Sequence, residues 1–179
     1  MLRIFIFLCL FCVREEPVLT WSEEYKLNWS DFKGQSKELG DAVAVTASGI
    51  TFGFSIKERG AKVIGFTTTV ESLFYPEQSW YKPEKANNHV LAHEQLHFDI
   101  TELYARKFRK RISELIVSNS IKKQLKDLHE SILKELAKTQ DLYDSETNFS
   151  RNEGSQLKWQ NFIASELEKL ANFKSDNSQ

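Results

Sequence analysis

The sequence predicts an α+β domain: a small antiparallel sheet, then a hairpin of two long helices, then a shorter C-terminal helix. Two patterns carry this. Between positions 43 and 74 apolar residues alternate with polar ones at period two, and from position 87 onward they recur at helical spacing. A third observation bears on function, because His93-Glu94-Gln95-Leu96-His97 lies inside the first helical stretch.

Taken in order, the chain opens with Met1-Leu2-Arg3, an apolar run from Ile4 to Val13, and Arg14-Glu15-Glu16-Pro17. The run is too short to span a bilayer and suits the apolar core of an export signal, so residues 1–17 are expected to be a leader. No small-x-small cleavage site follows it, which leaves an uncleaved anchor or a misplaced start codon as alternatives. Cys9 and Cys12 both fall in this leader and read as apolar filler, so the mature chain is expected to lack cysteine. The expected location is outside the cytoplasm, periplasmic or secreted.

Trp21 to Gly34 reads as an irregular lead-in. Val43–Thr46 is a short strand; Ile50, Phe52, Phe54 and Ile56 alternate along a second; Ile64, Phe66, Thr68 and Val70 alternate along a third that runs from Lys62 to Phe74. Pro76 and Pro83 bracket a loop holding Ser79-Trp80-Tyr81. A helix is predicted over about 87–116, with Val90, His93, His97, Ile100, Tyr104, Phe108 and Leu115 on one stripe. A second is predicted over 121–147 and a third over about 155–172, with 173–179 a disordered tail. Residues 18–172 are read as one domain.

The 179 residues carry a formal net charge of −1, and no basic cluster is interleaved with aromatics, which argues against nucleic acid as a partner. The densest basic run, Arg106, Lys107, Arg109, Lys110 and Arg111, is expected to be mostly the solvated side of the long helix rather than a lipid-binding patch.

Residues four apart share a helix face, so His93 and His97 can grip one metal ion, with Glu94 about 100° round the helix as a base for its water. A hydrolytic zinc takes three protein ligands and keeps one open position. His89 and His129 are the other histidines. Three ligands from consecutive turns of one helix would diverge, which sets His89 aside, and His129 lies too near the hairpin turn. If the two long helices pack antiparallel, Gln140 faces His97 and Asp144 faces His93. Glu146 continues the apolar face and is favoured as third ligand, with Asp144 at its edge as the alternative; either acid could instead orient a histidine or cap the helix. Tyr143 is a candidate donor to a developing oxyanion.

His93 to Ile100, Glu102-Leu103-Tyr104-Ala105-Arg106, Ser79-Trp80, and Tyr143-Asp144-Ser145-Glu146-Thr147 with Gln156 and Trp159 together resemble a bacterial family. It is that of the predicted secreted zinc-dependent proteases, domain of unknown function nine-two-two. The resemblance runs from about Trp29 to Leu167 and implies an exported, zincin-like metallopeptidase with His93 and His97 on zinc and Glu94 as base. Many members carry His-Gly where this chain has Phe149-Ser150, so a histidine there is no ligand in this chain.

The expected activity is zinc-dependent hydrolysis of a peptide or protein substrate, with strand 62–74 as an edge for pairing with an extended peptide. Alternatives are a zinc amidase acting on cell-wall or other non-protein amides, and a non-catalytic envelope binding module. A monomer is expected, touching membrane only through the leader.

Overall fold

The structure is a computed structural model and describes residues 17–36 and 41–175. Residues 1–16 of the expected leader, with both cysteines, lie outside the described residues, as do the last four residues of the tail.

Among the described residues five strands and three α-helices follow one another: β1 (Leu19–Thr20), β2 (Ala44–Val45), β3 (Ser48–Arg59), β4 (Lys62–Phe74), β5 (Trp80–Tyr81), α1 (Asn88–Ser113), α2 (Ile121–Thr147) and α3 (Glu153–Lys169). The architecture is α+β, as the sequence predicts. Strands β1, β4 and β3 form one antiparallel sheet with β4 in the middle, and β2 and β5 form a separate antiparallel pair. The residues around Trp80 are thus a strand where the sequence predicts only a loop.

The β3–β4 hairpin turns at Gly60, whose φ of +62° suits glycine. Its inner face sends Ile50, Phe52, Phe54, Ile56, Phe66 and Val70 against the helices. Near the turn the alternation slips. Lys57 pairs with Gly65 but Glu58 pairs with Val63, so Ile64 is an extra, unpaired residue. This bulge turns Val63 into the core and leaves Ile64 exposed, the reverse of the simple period-two reading.

Helix α1 starts at Asn87, whose side chain accepts from the Val90 N–H, and is the centre of the molecule rather than an amphipathic wall. Every residue from Ile100 to Arg106 is buried, because the sheet, α2 and α3 surround it, and Trp21 and Glu23 of the N-terminal segment reach Asp99 and Arg106. That burial corrects the reading of the basic run. Arg106 is fully buried, its Nε donating to Glu102 at 2.9 Å and its Nη1 to the Leu167 carbonyl at 2.7 Å. Arg109 caps the Val70 carbonyl from two nitrogens and reaches the Phe173 carbonyl at 2.8 Å, tying down the start of the expected tail. Arg111 pairs with Glu135.

The irregular lead-in is fastened to the same helix by Trp21 donating to Asp99 and the Leu27 N–H donating to Gln95. Gly34 packs so closely on the Pro76–Ser79 turn that a Cβ would stand 2.8 Å from the Glu77 carbonyl oxygen. The outer edge of β4, predicted to receive a peptide, is occupied over its second half. Strand β1 pairs at Leu73 and Phe74, the Trp21 N–H donates to Ser72, and Arg109 covers Val70.

Candidate metal centre

α1 and α2 pack antiparallel, and the equidistance argument is met by side chains. His97 lies against Gln140, and His93 against Asp144. Asp144 Oδ1 is 3.1 Å from His93 Nε2 and 3.0 Å from His97 Nε2, while the two nitrogens stand 3.2 Å apart. One ligand atom from each residue fits within 4.8 Å of the others, so the three form a group that could hold a metal ion.

Glu146 takes no part. Two residues beyond Asp144 it has rotated about 200° round α2, and its carboxylate accepts from the Trp159 indole at 2.8 Å on an exposed face. The acid that the sequence reading ranks second is therefore the one brought to the imidazoles. A wheel drawn for α2 alone misplaces them because α3 covers the Tyr143 side of the helix, and Trp159 offers Glu146 a partner there.

Tyr143 is fully buried, its ring stacked on His93 at 4.5 Å and edge-on to His97 at 4.9 Å. Its hydroxyl donates to the His93 carbonyl at 3.4 Å. The side chain is thus a floor beneath the imidazoles, and the hydroxyl does not reach into the open side of the site as an oxyanion donor must. Burial first, then the charges of Glu94 and Asp144, push its pKa above the ordinary phenol value.

Gln140 supplies a detail that the sequence reading passes over. Its amide nitrogen donates to the His97 carbonyl at 2.9 Å, which turns its oxygen toward His97 Nδ1 at 2.5 Å. Nδ1 therefore carries a proton. A neutral His97 would then aim a bare Nε2 lone pair at a carboxylate oxygen 3.0 Å away, a repulsive contact unless a proton or a cation lies between. With a proton there, His97 is an imidazolium. Burial opposes that charge, but the Asp144 hydrogen bond and the charges of Glu94 and Asp144 outweigh it and raise the His97 pKa. Asp144 is pulled the other way: against its own burial, the hydrogen bonds and charges of both histidines hold its carboxyl below the usual range. A divalent ion held there would satisfy the same three atoms. His93 Nδ1 is buried without a hydrogen-bond partner.

These atoms open onto a cleft of about 490 Å³. One wall is the segment 41–46 with β2, the floor is α1 through His89, Val90, His93, Glu94 and His97, and the far rim is the α2–α3 turn with Phe149 and Arg151. Glu94 is buried beside the imidazoles yet lines this space, and the Thr46 hydroxyl ties β2 to the Glu94 carbonyl at 3.2 Å. No residue of β4 lines the cleft. His89 donates from Nε2 to the Ser150 carbonyl, and His129 stacks on Phe108 at 5.6 Å; neither joins the metal group.

Residues 26–154 match the family described as bacterial protein of unknown function, DUF922. The chain belongs to that family. No curated protein and no solved structure matches it. The DUF922 match takes in His93, Glu94, His97, Gln140 and Asp144 and ends in the first turn of α3.

Proposed function

We propose that this DUF922 chain is a zinc-dependent metallohydrolase that cleaves peptide bonds, with His93, His97 and Asp144 as the protein ligands. One observation carries the reading: two imidazole nitrogens and a carboxylate oxygen converge beside a second carboxylate, Glu94, at the bottom of an open cleft. Two imidazoles and one acid are a hydrolytic zinc donor set that leaves a coordination position for water. Zinc bound there supplies Lewis acidity, acidifying a water and polarising an amide carbonyl.

The chain's own residues do the rest. Glu94, in the cleft, takes the proton from the attacking water and returns it to the leaving amine. Gln140 holds His97 in the tautomer that presents Nε2, and Tyr143 fixes the plane of both rings. The edge for an extended substrate is β2 rather than β4. The Lys82 N–H donates to Val43, and Ala44 and Val45 pair with Tyr81 and Trp80, so the backbone groups of Ala44 point away from β5 and stand free to pair with a peptide.

The test is hydrolysis of casein-type peptides and, in parallel, of cell-wall peptide fragments by the zinc-loaded chain. Turnover should vanish with a chelator and with Glu94→Gln, while Glu94→Gln still binds zinc. Full activity in Glu94→Gln, or no cleavage of any amide by the zinc-loaded protein, overturns the proposal.

A further inference from the structure

The two hairpin turns of the molecule meet at the end remote from the cleft. Asn119, between α1 and α2, accepts from the Val63 N–H at 2.9 Å and donates to the Ala61 carbonyl at 3.3 Å, which seats the helical turn against the β3–β4 turn. That combined end exposes apolar side chains at its tip: Ile116 is 83% exposed and Val117 42%.

Cations flank the two turns. Lys57, Arg59, Lys62 and Lys122 are exposed, and none of them forms an ion pair among the described residues, whereas Lys110 and Lys123 are engaged by Glu114 and Asp127. Glu58 is the one acid in the β3–β4 turn. The strand register also sets Arg59 directly opposite Lys62. Like charges facing each other across a hairpin are destabilising, and no acid among the described residues forms an ion pair with either. Exposed aliphatic tips ringed by unpaired cations are the chemistry of interfacial membrane anchors: the apolar groups enter the headgroup–acyl boundary and the cations take lipid phosphates.

We propose that this end docks on an anionic lipid bilayer, with Ile116 and Val117 inserted and Lys57, Arg59, Lys62 and Lys122 on the headgroups. The contact is peripheral, since no helix among the described residues is long and apolar enough to cross a membrane. A bilayer fits better than a second copy, which would bring the same unpaired cations face to face. It also fits better than nucleic acid, for which the aliphatic tip has no use. Docked this way, the helix hairpin stands off the surface. His97 lies sixteen residues above the end of α1, so the metal group is held about 24 Å from that end at 1.5 Å per residue.

The full chain is tested by flotation with vesicles of phosphatidylcholine alone and with about a third phosphatidylglycerol. Ile116→Trp in the same chain, with brominated lipids as quenchers, reports insertion of the tip even where the leader itself holds the chain to vesicles. The expected results are binding that needs the anionic lipid and weakens with salt, and quenching of Ile116→Trp. Arg59→Glu with Lys62→Glu should weaken partitioning at least about 25-fold, roughly fivefold for each cation removed, and Ile116→Ser with Val117→Ser at least about tenfold, with thermal unfolding unchanged in both. No quenching of Ile116→Trp by brominated lipids beyond that of the wild type, or quenching of Ile116→Trp that Arg59→Glu with Lys62→Glu leaves unchanged, overturns the proposal. Self-association abolished by Ile116→Ser without any quenching would assign the tip to a second copy and overturn it equally.

Discussion

Asp144→Ala and Glu146→Ala separate the two candidate third ligands, and the geometry sets the size of the difference. Asp144 stands about 3 Å from both imidazole nitrogens, whereas Glu146 holds only the Trp159 indole. Outer partners of metal sites contribute about 10–100-fold in affinity, so loss of a direct ligand should cost at least about 100-fold. With zinc at about 1,000 times the wild-type Kd, binding stabilises the fold by about 4.1 kcal/mol; a 100-fold weaker Kd leaves about 1.4 kcal/mol. For a domain of this size the zinc-induced rise in Tm should therefore shrink from roughly 8–16 °C to roughly 3–6 °C in Asp144→Ala. Glu146→Ala should keep the full rise and lose at most about 1 kcal/mol of intrinsic stability with its exposed hydrogen bond. The assay is thermal unfolding with and without zinc, paired with chelator-competition titration. A zinc response that survives in Asp144→Ala and disappears in Glu146→Ala would refute the assignment.

The same site should be pH-dependent. Metal must displace the proton from His97, whose pKa is raised, so affinity should fall about tenfold per unit as pH drops below that pKa; calorimetry from pH 5.5 to 8.5 checks it, and a flat profile counts against the ion pair. For the protein without metal the signs run oppositely for the two partners. The His97 contribution is complete below the ordinary imidazole value of 6.5 and is lost as pH rises through the folded pKa, while that of Asp144 is present above 3.8 and is lost as pH falls through its lowered folded value. Tyr143→Phe should keep zinc affinity and kcat within a few-fold, because the hydroxyl makes only one long bond to a backbone carbonyl; a loss of 100-fold in kcat with unchanged affinity would restore the oxyanion role. Arg106→Ala should destabilise by about 3–5 kcal/mol by stripping the main partner from buried Glu102, and urea unfolding of Arg106→Leu with Glu102→Gln should recover part of that loss.

Where local pattern and packing agree, the chain is readable. The helix hairpin follows from 3.6-residue periodicity, and its antiparallel pairing places Gln140 and Asp144 opposite the histidines by counting alone. Reading fails where a third element decides. Glu146 and Asp144 cannot be ranked from α2 in isolation, because Trp159 of α3 captures one and the imidazoles capture the other. Arg106 and Arg109 look solvated in a basic run, but their partners, the carbonyls of Leu167, Phe173 and Val70, come from distant segments and leave no trace in composition. Ile64 misleads because a bulge carries no strong sequence signal here. Pairing of β2 with β5 joins two-residue strands 36 positions apart, below any length at which alternation is informative.

His89 shows how an apparently ordinary residue enters the site's architecture. Helix α2 ends in three successive left-handed residues, Asn148, Phe149 and Ser150, with φ of 48°, 53° and 72°. Asparagine tolerates that conformation at a helix end, but phenylalanine and serine are strained there, at a cost of about 1–3 kcal/mol each. The turn persists because it is held from both sides. The Phe149 N–H donates to the Asp144 carbonyl at 2.9 Å and the Asn152 N–H to Thr147 at 2.8 Å, while His89 donates to Ser150 and its own carbonyl accepts from Gln156. Those bonds connect the rim of the cleft to the backbone of Asp144 at one end and to the first turn of α1, one turn before His93, at the other. Relaxing the turn would free both sides at once, so the strain is localised where it fixes the spacing between the helix that carries the imidazoles and the helix that carries the acid.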